Sequence, residues 1–202
     1  MINLYNQDCL EAMKKMDDNS YELAIVDPPY GIGISTKKQI GYKGFNVFKS
    51  KEWDNKIPSK EYFNELFRVS KDQIIWGSNY FNLPPTRCNL IWDKIQIFNG
   101  SDFELAWTSF DKVSKAFRMT RVEAYSKGKI HPTQKPVALY AWILNNYAKE
   151  NDRILDTHLG SGSIAIACHN LGFHLDGYEL DVDYYEAASK RLKEHQRQLR
   201  LF

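Results

Sequence analysis

Apolar residues in this chain fall into two rhythms. Short unbroken runs such as Leu23-Ala24-Ile25-Val26 suit strands buried on both faces, whereas spacings of three and four, as in Tyr62, Phe63, Leu66 and Phe67, suit one face of a helix. These rhythms predict strands over Ile2–Tyr5, Glu22–Val26 and Gln73–Trp76. A helix is predicted from Asp8 to Met16, and another from a Ser59 N-cap to about Ser70. Three β-like runs follow, Asn89–Trp92, Phe103–Trp107 and Val113–Phe117, and read as a meander. Residues 119–130 read as a polar loop, and Val137–Ala148 as a helix with Leu139, Ile143, Leu144 and Tyr147 inward. The C-terminal part is the clearest: strand Arg153–Leu155, a glycine turn, helix Ser163–Leu171, strand Phe173–Tyr178, an acid, and a long charged helix.

Strands alternating with helices predict an α/β fold, a mostly parallel sheet covered on both faces with antiparallel strands at one edge. The 202 residues suffice for one well-buried core, and neither repeat nor linker divides them, so one domain over residues 1–202 is expected.

Composition narrows this little: 43% hydrophobic and 26% charged residues describe an ordinary globular chain rather than a disordered one. The absence of a long apolar run and of a signal-type N-terminus leads to the expectation of a cytoplasmic protein without membrane spans. Cys9, Cys88 and Cys168 are few and far apart, as suits reduced thiols rather than disulfides or a zinc site. A net charge of +2 does not mark a nucleic-acid binder, but its distribution is uneven. Between Tyr30 and Pro58, Lys37, Lys38, Lys43, Lys49, Lys51 and Lys56 face only Glu52 and Asp54. That segment reads either as a solvated loop or as a mobile loop contacting phosphates.

Three stretches carry candidate chemistry. The strand Ala24-Ile25-Val26 ends in Asp27-Pro28-Pro29-Tyr30, a rigid elbow that displays a carboxylate beside a ring. Arg153–Ser163 contains a strand, the acid Asp156 at its end, and the small-residue turn Gly160-Ser161-Gly162, where a ligand can approach the backbone. About twenty residues on, Glu179 ends the next strand, placed to accept hydrogen bonds from a ribose diol. Glu179 also reads as a helix-end charge partner, and Asp156 as a structural cap. The third stretch is His131-Pro132-Thr133-Gln134-Lys135-Pro136.

In this order, DPPY, HPTQKP and the GSG turn closely resemble the S-adenosylmethionine-dependent DNA amino-methyltransferases, of the permuted group in which the catalytic motif precedes the cofactor motif. The likeness spans nearly the whole chain and implies a Rossmann-like sheet with circularly permuted motif order. It implies that the Asp27 carboxylate and the Pro28 carbonyl accept the two protons of the target amine, with Pro29 stiffening the elbow. Tyr30 then stacks on a base flipped out of duplex DNA. By the same resemblance Asp8 accepts from the adenine amine of the cofactor and Cys9 lies near its ring, although Asp8 reads equally as a helix N-cap. His131, Thr133 and Lys135 help close the cofactor pocket, Thr133 and Lys135 being chemically suited to the methionine carboxylate. Asp156, Gly160, Ser161, Gly162 and Glu179 complete it. The chain departs from the family's usual DPFxGSGT at Thr157, His158 and Ser163, which keep small or planar side chains.

Asp rather than Ser at the head of the elbow favours adenine N6 over cytosine N4. Cytosine N4 methylation, action on RNA, and a catalytically silent nucleic-acid-binding subunit are the competing readings. Trp76-Gly77-Ser78-Asn79-Tyr80 and Ile91-Trp92-Asp93-Lys94 look like motifs around the base pocket. Double-stranded DNA is the expected partner, contacted by Lys37, Lys38 and Lys43 and by Arg118 and Arg121. Members of this group often form homodimers, though no dimer face is legible. The tail Gln198-Leu199-Arg200-Leu201-Phe202 resembles the pentapeptide that docks on the bacterial sliding clamp, and reads alternatively as a helix end packed on its own domain.

Overall fold

The computed structural model describes residues 1–35, 48–95, 100–126 and 128–198. Eight strands form one sheet: β1 (Ile2–Tyr5), β2 (Tyr21–Val26), β3 (Ser70–Trp76), β4 (Asn89–Asp93), β5 (Phe103–Thr108), β6 (Lys115–Arg118), β7 (Arg153–Asp156) and β8 (His174–Tyr178). Their order is β1-β8-β7-β2-β3-β5-β4-β6. Among the described residues six α-helices accompany them: α1 (Cys9–Met13), α2 (Lys60–Val69), α3 (Arg121–Ala124), α4 (Val137–Tyr147), α5 (Ser163–Leu171) and α6 (Val182–Arg197). Among the described residues no helix is long and apolar enough to cross a membrane.

The apolar run in β2 exists because both faces of the sheet are covered. Leu23 and Ile25 point into a core shared with Leu139 and Ile143 of α4, Ile164 of α5 and Leu192 of α6. Ala24 and Val26 point the other way, against Met13 of α1 and Tyr62 and Leu66 of α2. Successive side chains of a strand alternate in direction, so a strand clothed on two sides needs apolar residues at every position.

Two expectations are corrected. The three runs after Arg87 do not form a meander. β5 pairs antiparallel with both β3 and β4, and β6 pairs parallel with β4 on its outer side. With one edge of β5 taken by β3 and the other by β4, the third strand has only the free edge of β4 to join. β5 is thus antiparallel to its neighbours on both sides, and every other pairing in the sheet is parallel. Second, residues 119–130 are not wholly loop. Thr120 caps α3, accepting from the Glu123 backbone while the Glu123 side chain returns to the Thr120 amide. This capping box is written in the sequence as Thr120-Arg121-Val122-Glu123.

The predicted helix over Asp8–Met16 is shorter, ending as α-helix at Met13, and Asp8 is its N-cap, accepting from Leu10 and Glu11. Ser59 caps α2 as expected.

The chain runs from β2 out to β3 on one side and from β7 out to β8 on the other, so the connections diverge where β2 and β7 lie side by side. In an open α/β sheet, ligands bind in the crevice beyond the carboxyl ends of strands at such a point. Asp27 follows β2 there, and Asp156 ends β7.

Candidate active site

Two cavities meet at that crevice. One, of ≈ 640 Å³, is lined by the elbow 27–30, by Gly77, Asn79 and Tyr80 after β3, by Lys94 and Glu104, and by Arg121, Tyr125 and Lys129. The other, of ≈ 510 Å³, is lined by Asp8 and Cys9, by His131, Thr133 and Lys135, by the turn 157–161, and by Glu179 and Tyr184. Asp27, Pro29, Trp53 and Thr133 line both.

The elbow owes its shape to more than its prolines. Asp54, buried, accepts hydrogen bonds from the amides of Tyr30 (2.8 Å), Gly31 (3.0 Å) and Ile34 (2.9 Å). Gly77 sits in the left-handed region at φ 73°, and a Cβ there would lie 2.1 Å from the Tyr30 ring. The glycine therefore lets the ring lie flush against the chain after β3. Tyr30 stacks on Tyr80, with ring centroids 4.9 Å apart and planes 13° from parallel.

Asp27 lies in a nearly buried polar cluster. Its Oδ1 accepts from the Tyr30 hydroxyl at 2.6 Å and its Oδ2 lies 2.5 Å from the Lys135 ammonium. Lys135 also pairs with Glu104 at 3.2 Å, and Glu104 pairs with Lys94 at 3.0 Å. Burial, reinforced by the Glu104 charge, pushes the Asp27 carboxyl above the usual carboxylate range although Lys135 pulls it down. For Glu104 the burial penalty is outweighed by Lys135 and Lys94, and its carboxyl is held low.

In the second cavity the two amides that follow the strand ends face one carboxylate. Glu179 accepts from Gly160 at 2.8 Å and from Asp181 at 2.9 Å. Asp156 accepts from the His158 amide, and burial pushes its carboxyl up to about 8. Burial lowers His158 to about 4 and His131 to about 3, so both rings are neutral at pH 7. His131 lies between Trp53 and Tyr184, at centroid distances of 5.2 and 4.3 Å. The Cys9 thiol is pushed up to about 12 by burial and presents an apolar wall.

A segment leading into α2 closes one side of this cavity. Lys51 pairs with Asp181 at 2.5 Å and with Asp183 at 2.8 Å, which fixes the chain next to Trp53.

The structure thus brings the expected residues 27–30, 8–9, 131, 133, 135, 160, 161 and 179 to one crevice, whereas Asp156, buried at the end of β7, and Gly162, the left-handed N-cap of α5, line neither cavity. Arg121 lines the first cavity, whereas Arg118 is exposed and pairs with Asp93 at 3.3 Å. Lys37, Lys38 and Lys43 lie outside the described residues, as do Leu199, Leu201 and Phe202 of the tail. Sequence reasoning missed the contributions of Glu104, Asp54, Trp53 and Lys51. For Asp54 a signal existed: it is one of two acids in an otherwise basic stretch.

The DNA methylase family matches residues 88–190. The type II methyltransferase M2.LlaDCHI of Lactococcus lactis subsp. cremoris is 27% identical over 164 residues, 81% of this chain and 55% of the relative. M2.DpnII of Streptococcus pneumoniae, also described as a type II methyltransferase, is 28% identical over 165 residues, 81% of this chain and 56% of the relative. The chain spans little more than half the length of these two relatives. A crystal structure of an M1.HpyAVI–SAM complex superposes with a TM-score of 0.63 at 23% identity, over 95% of this chain and 100% of that one. That likeness carries the fold.

Proposed function

The chain belongs to the N6/N4 DNA methylase family, and from that premise we propose that it transfers a methyl group from S-adenosylmethionine to the N6 amine of an adenine flipped out of duplex DNA. The observation that carries this reading is the position of Asp27, on the wall shared by two cavities of nucleotide scale. We assign the ≈ 640 Å³ cavity to the flipped base and the ≈ 510 Å³ cavity to the cofactor.

The residues of the second cavity suit the cofactor. Glu179 has acceptor capacity left for a ribose diol after its two backbone contacts. Asp8 and Cys9 offer an acceptor and an apolar wall for an adenine. When bound, S-adenosylmethionine supplies an electrophilic methyl group on a sulfonium.

An adenine amine is a weak nucleophile because its lone pair is delocalised into the ring. The Asp27 carboxylate and the Pro28 carbonyl hold its two protons, so that the nitrogen can turn its lone pair toward the methyl group. Acceptors fixed in advance avoid reorganisation at the moment of transfer. Tyr30, on leaving its stack with Tyr80, would offer a face for the unstacked base, which repays part of an unstacking cost of roughly a few kcal/mol. A carboxylate at the head of the elbow supports adenine; cytosine N4 is the second reading that the family admits.

The test is transfer of labelled methyl from S-adenosylmethionine to unmethylated DNA followed by nucleoside analysis. Label in N6-methyladenine is expected; label in N4-methylcytosine would move the activity to the second reading. Docking of the tail from Gln198 on a sliding clamp is a separate proposal. Deleting Leu201 and Phe202 is expected to abolish clamp capture without changing cofactor affinity, and unchanged capture would exclude it.

A further inference from the structure

The HPTQKP lysine is chemically suited to the carboxylate of a bound cofactor, yet its ammonium is fully engaged elsewhere. An ammonium has three N–H donors. Those of Lys135 meet Asp27 Oδ2 at 2.5 Å, Glu104 Oε2 at 3.2 Å and the Tyr30 hydroxyl at 3.3 Å. Its side chain is 1% exposed, and the Nζ also lies 5.1 Å from the centroid of the Trp76 ring. Redirecting this group toward a cofactor would leave Asp27 as a buried charge without its cation, an arrangement that strongly destabilises proteins.

We propose that Lys135 is a positioning residue for Asp27: anchored by Glu104, it fixes one oxygen of the Asp27 carboxylate so that the other is presented to the target amine. Among the described residues the second oxygen, Oδ1, carries only the Tyr30 hydroxyl. Movement of Tyr30 onto the base would free that oxygen for the amine, while Oδ2 stays held by Lys135. Glu104 in turn is held by Lys94, so two lysines balance two acids. This role rests on the reading of Asp27 as the amine acceptor.

Only an ionised Asp27 accepts both lone-pair contacts, so transfer is lost as pH falls through its pKa. The groups facing Asp27 are Lys135, Glu104 and Tyr30, with Tyr62 of α2, Tyr140 of α4 and Asp156 of β7. Tyr125, after α3, feels its charge as well. Lys135 is the one cation in this set. Its removal moves the acid limb of the pH profile upward, whereas removal of the Glu104 charge moves it downward.

The experiment measures cofactor dissociation constants and single-turnover methyl transfer from pH 5 to 9 for the wild type, Lys135→Met and Glu104→Gln. In Lys135→Met, transfer at neutral pH is expected to fall about 100-fold or more, with the acid limb raised by about one unit and cofactor affinity changed less than about threefold. In Glu104→Gln, a fall of about tenfold with the limb displaced the opposite way is expected. Weakened cofactor binding in Lys135→Met with an unmoved limb would overturn the proposal and return the lysine to the cofactor. If Lys135→Met does not fold, an unmoved limb in Glu104→Gln overturns it alone. Failure of the underlying reading is distinguishable, because then Asp27→Asn would leave wild-type transfer intact.

Discussion

Asp54 is a single side chain that holds three amides of the elbow, and at this scale its loss has a definite cost. Asp54→Ala leaves the amides of Tyr30, Gly31 and Ile34 without their acceptor, and each orphaned donor costs about 1–3 kcal/mol unless water replaces it. A loss of about 3 kcal/mol in urea unfolding is expected, together with reduced methyl transfer. Gly77→Ala acts on the same ring from the other side, since the new methyl group cannot coexist with Tyr30 where it stands. We expect weaker binding of DNA carrying an unpaired target base and unchanged cofactor affinity, both measurable by titration. Asp27→Ala is the complementary case: transfer lost, cofactor affinity retained within a few-fold.

The shortest α-helix among the described residues stands at the ≈ 640 Å³ cavity, to which it contributes Arg121. α3 spans only Arg121–Ala124, too short to persist by itself, and the capping box of Thr120 and Glu123 sets its start. Thr120→Ala is expected to cost about 1 kcal/mol locally and to raise KM for DNA through displaced Arg121, with the KM for cofactor unchanged. The segment anchored by Lys51 predicts the converse. Lys51→Ala should speed cofactor release about tenfold, equivalent to 1.4 kcal/mol, without affecting DNA affinity. At this scale the sequence was informative wherever neighbours in sequence are neighbours in function. β1 and α5 begin and end at the residues that periodicity indicates, and the elbow and glycine turn lie at strand ends because they contain the residues that stop strands. Glu104 was illegible for the opposite reason. It sits near the start of β5, and only because β5 runs against its neighbours does a strand's beginning reach the crevice that the others reach with their ends. Direction within a sheet is a property of pairing, which no local pattern in Phe103–Thr108 encodes.

Across the whole molecule, buried ionisable groups set how stability varies with pH. Asp156 titrates near 3.8 when unfolded and at about 8 in the fold, so its contribution is present at low pH and is lost as pH rises toward 8. His131 and His158 titrate near 6.5 when unfolded and at about 3 and about 4 in the fold. Their contributions are present above 6.5 and are lost as pH falls. Among these three groups the two histidines outweigh Asp156 below that value and only Asp156 acts above it, so their joint contribution to stability peaks near pH 6.5. Asp156→Asn should flatten the alkaline side of a plot of unfolding free energy against pH. The sheet itself has a consequence for synthesis. β1 pairs with β8, Ile2 opposite Leu175, whereas β2 finds β3 about fifty residues further along the chain. On a ribosome adding roughly 5–20 residues per second, β1 waits on the order of 10–30 s for its partner. During that interval the wall around Asp27 has its neighbouring strand β3, while Asp8 has no Glu179 to face. A nascent chain halted before β8 should therefore fail to retain cofactor, and on the proposed function the growing protein acquires the place for a base before it acquires the means to methylate one.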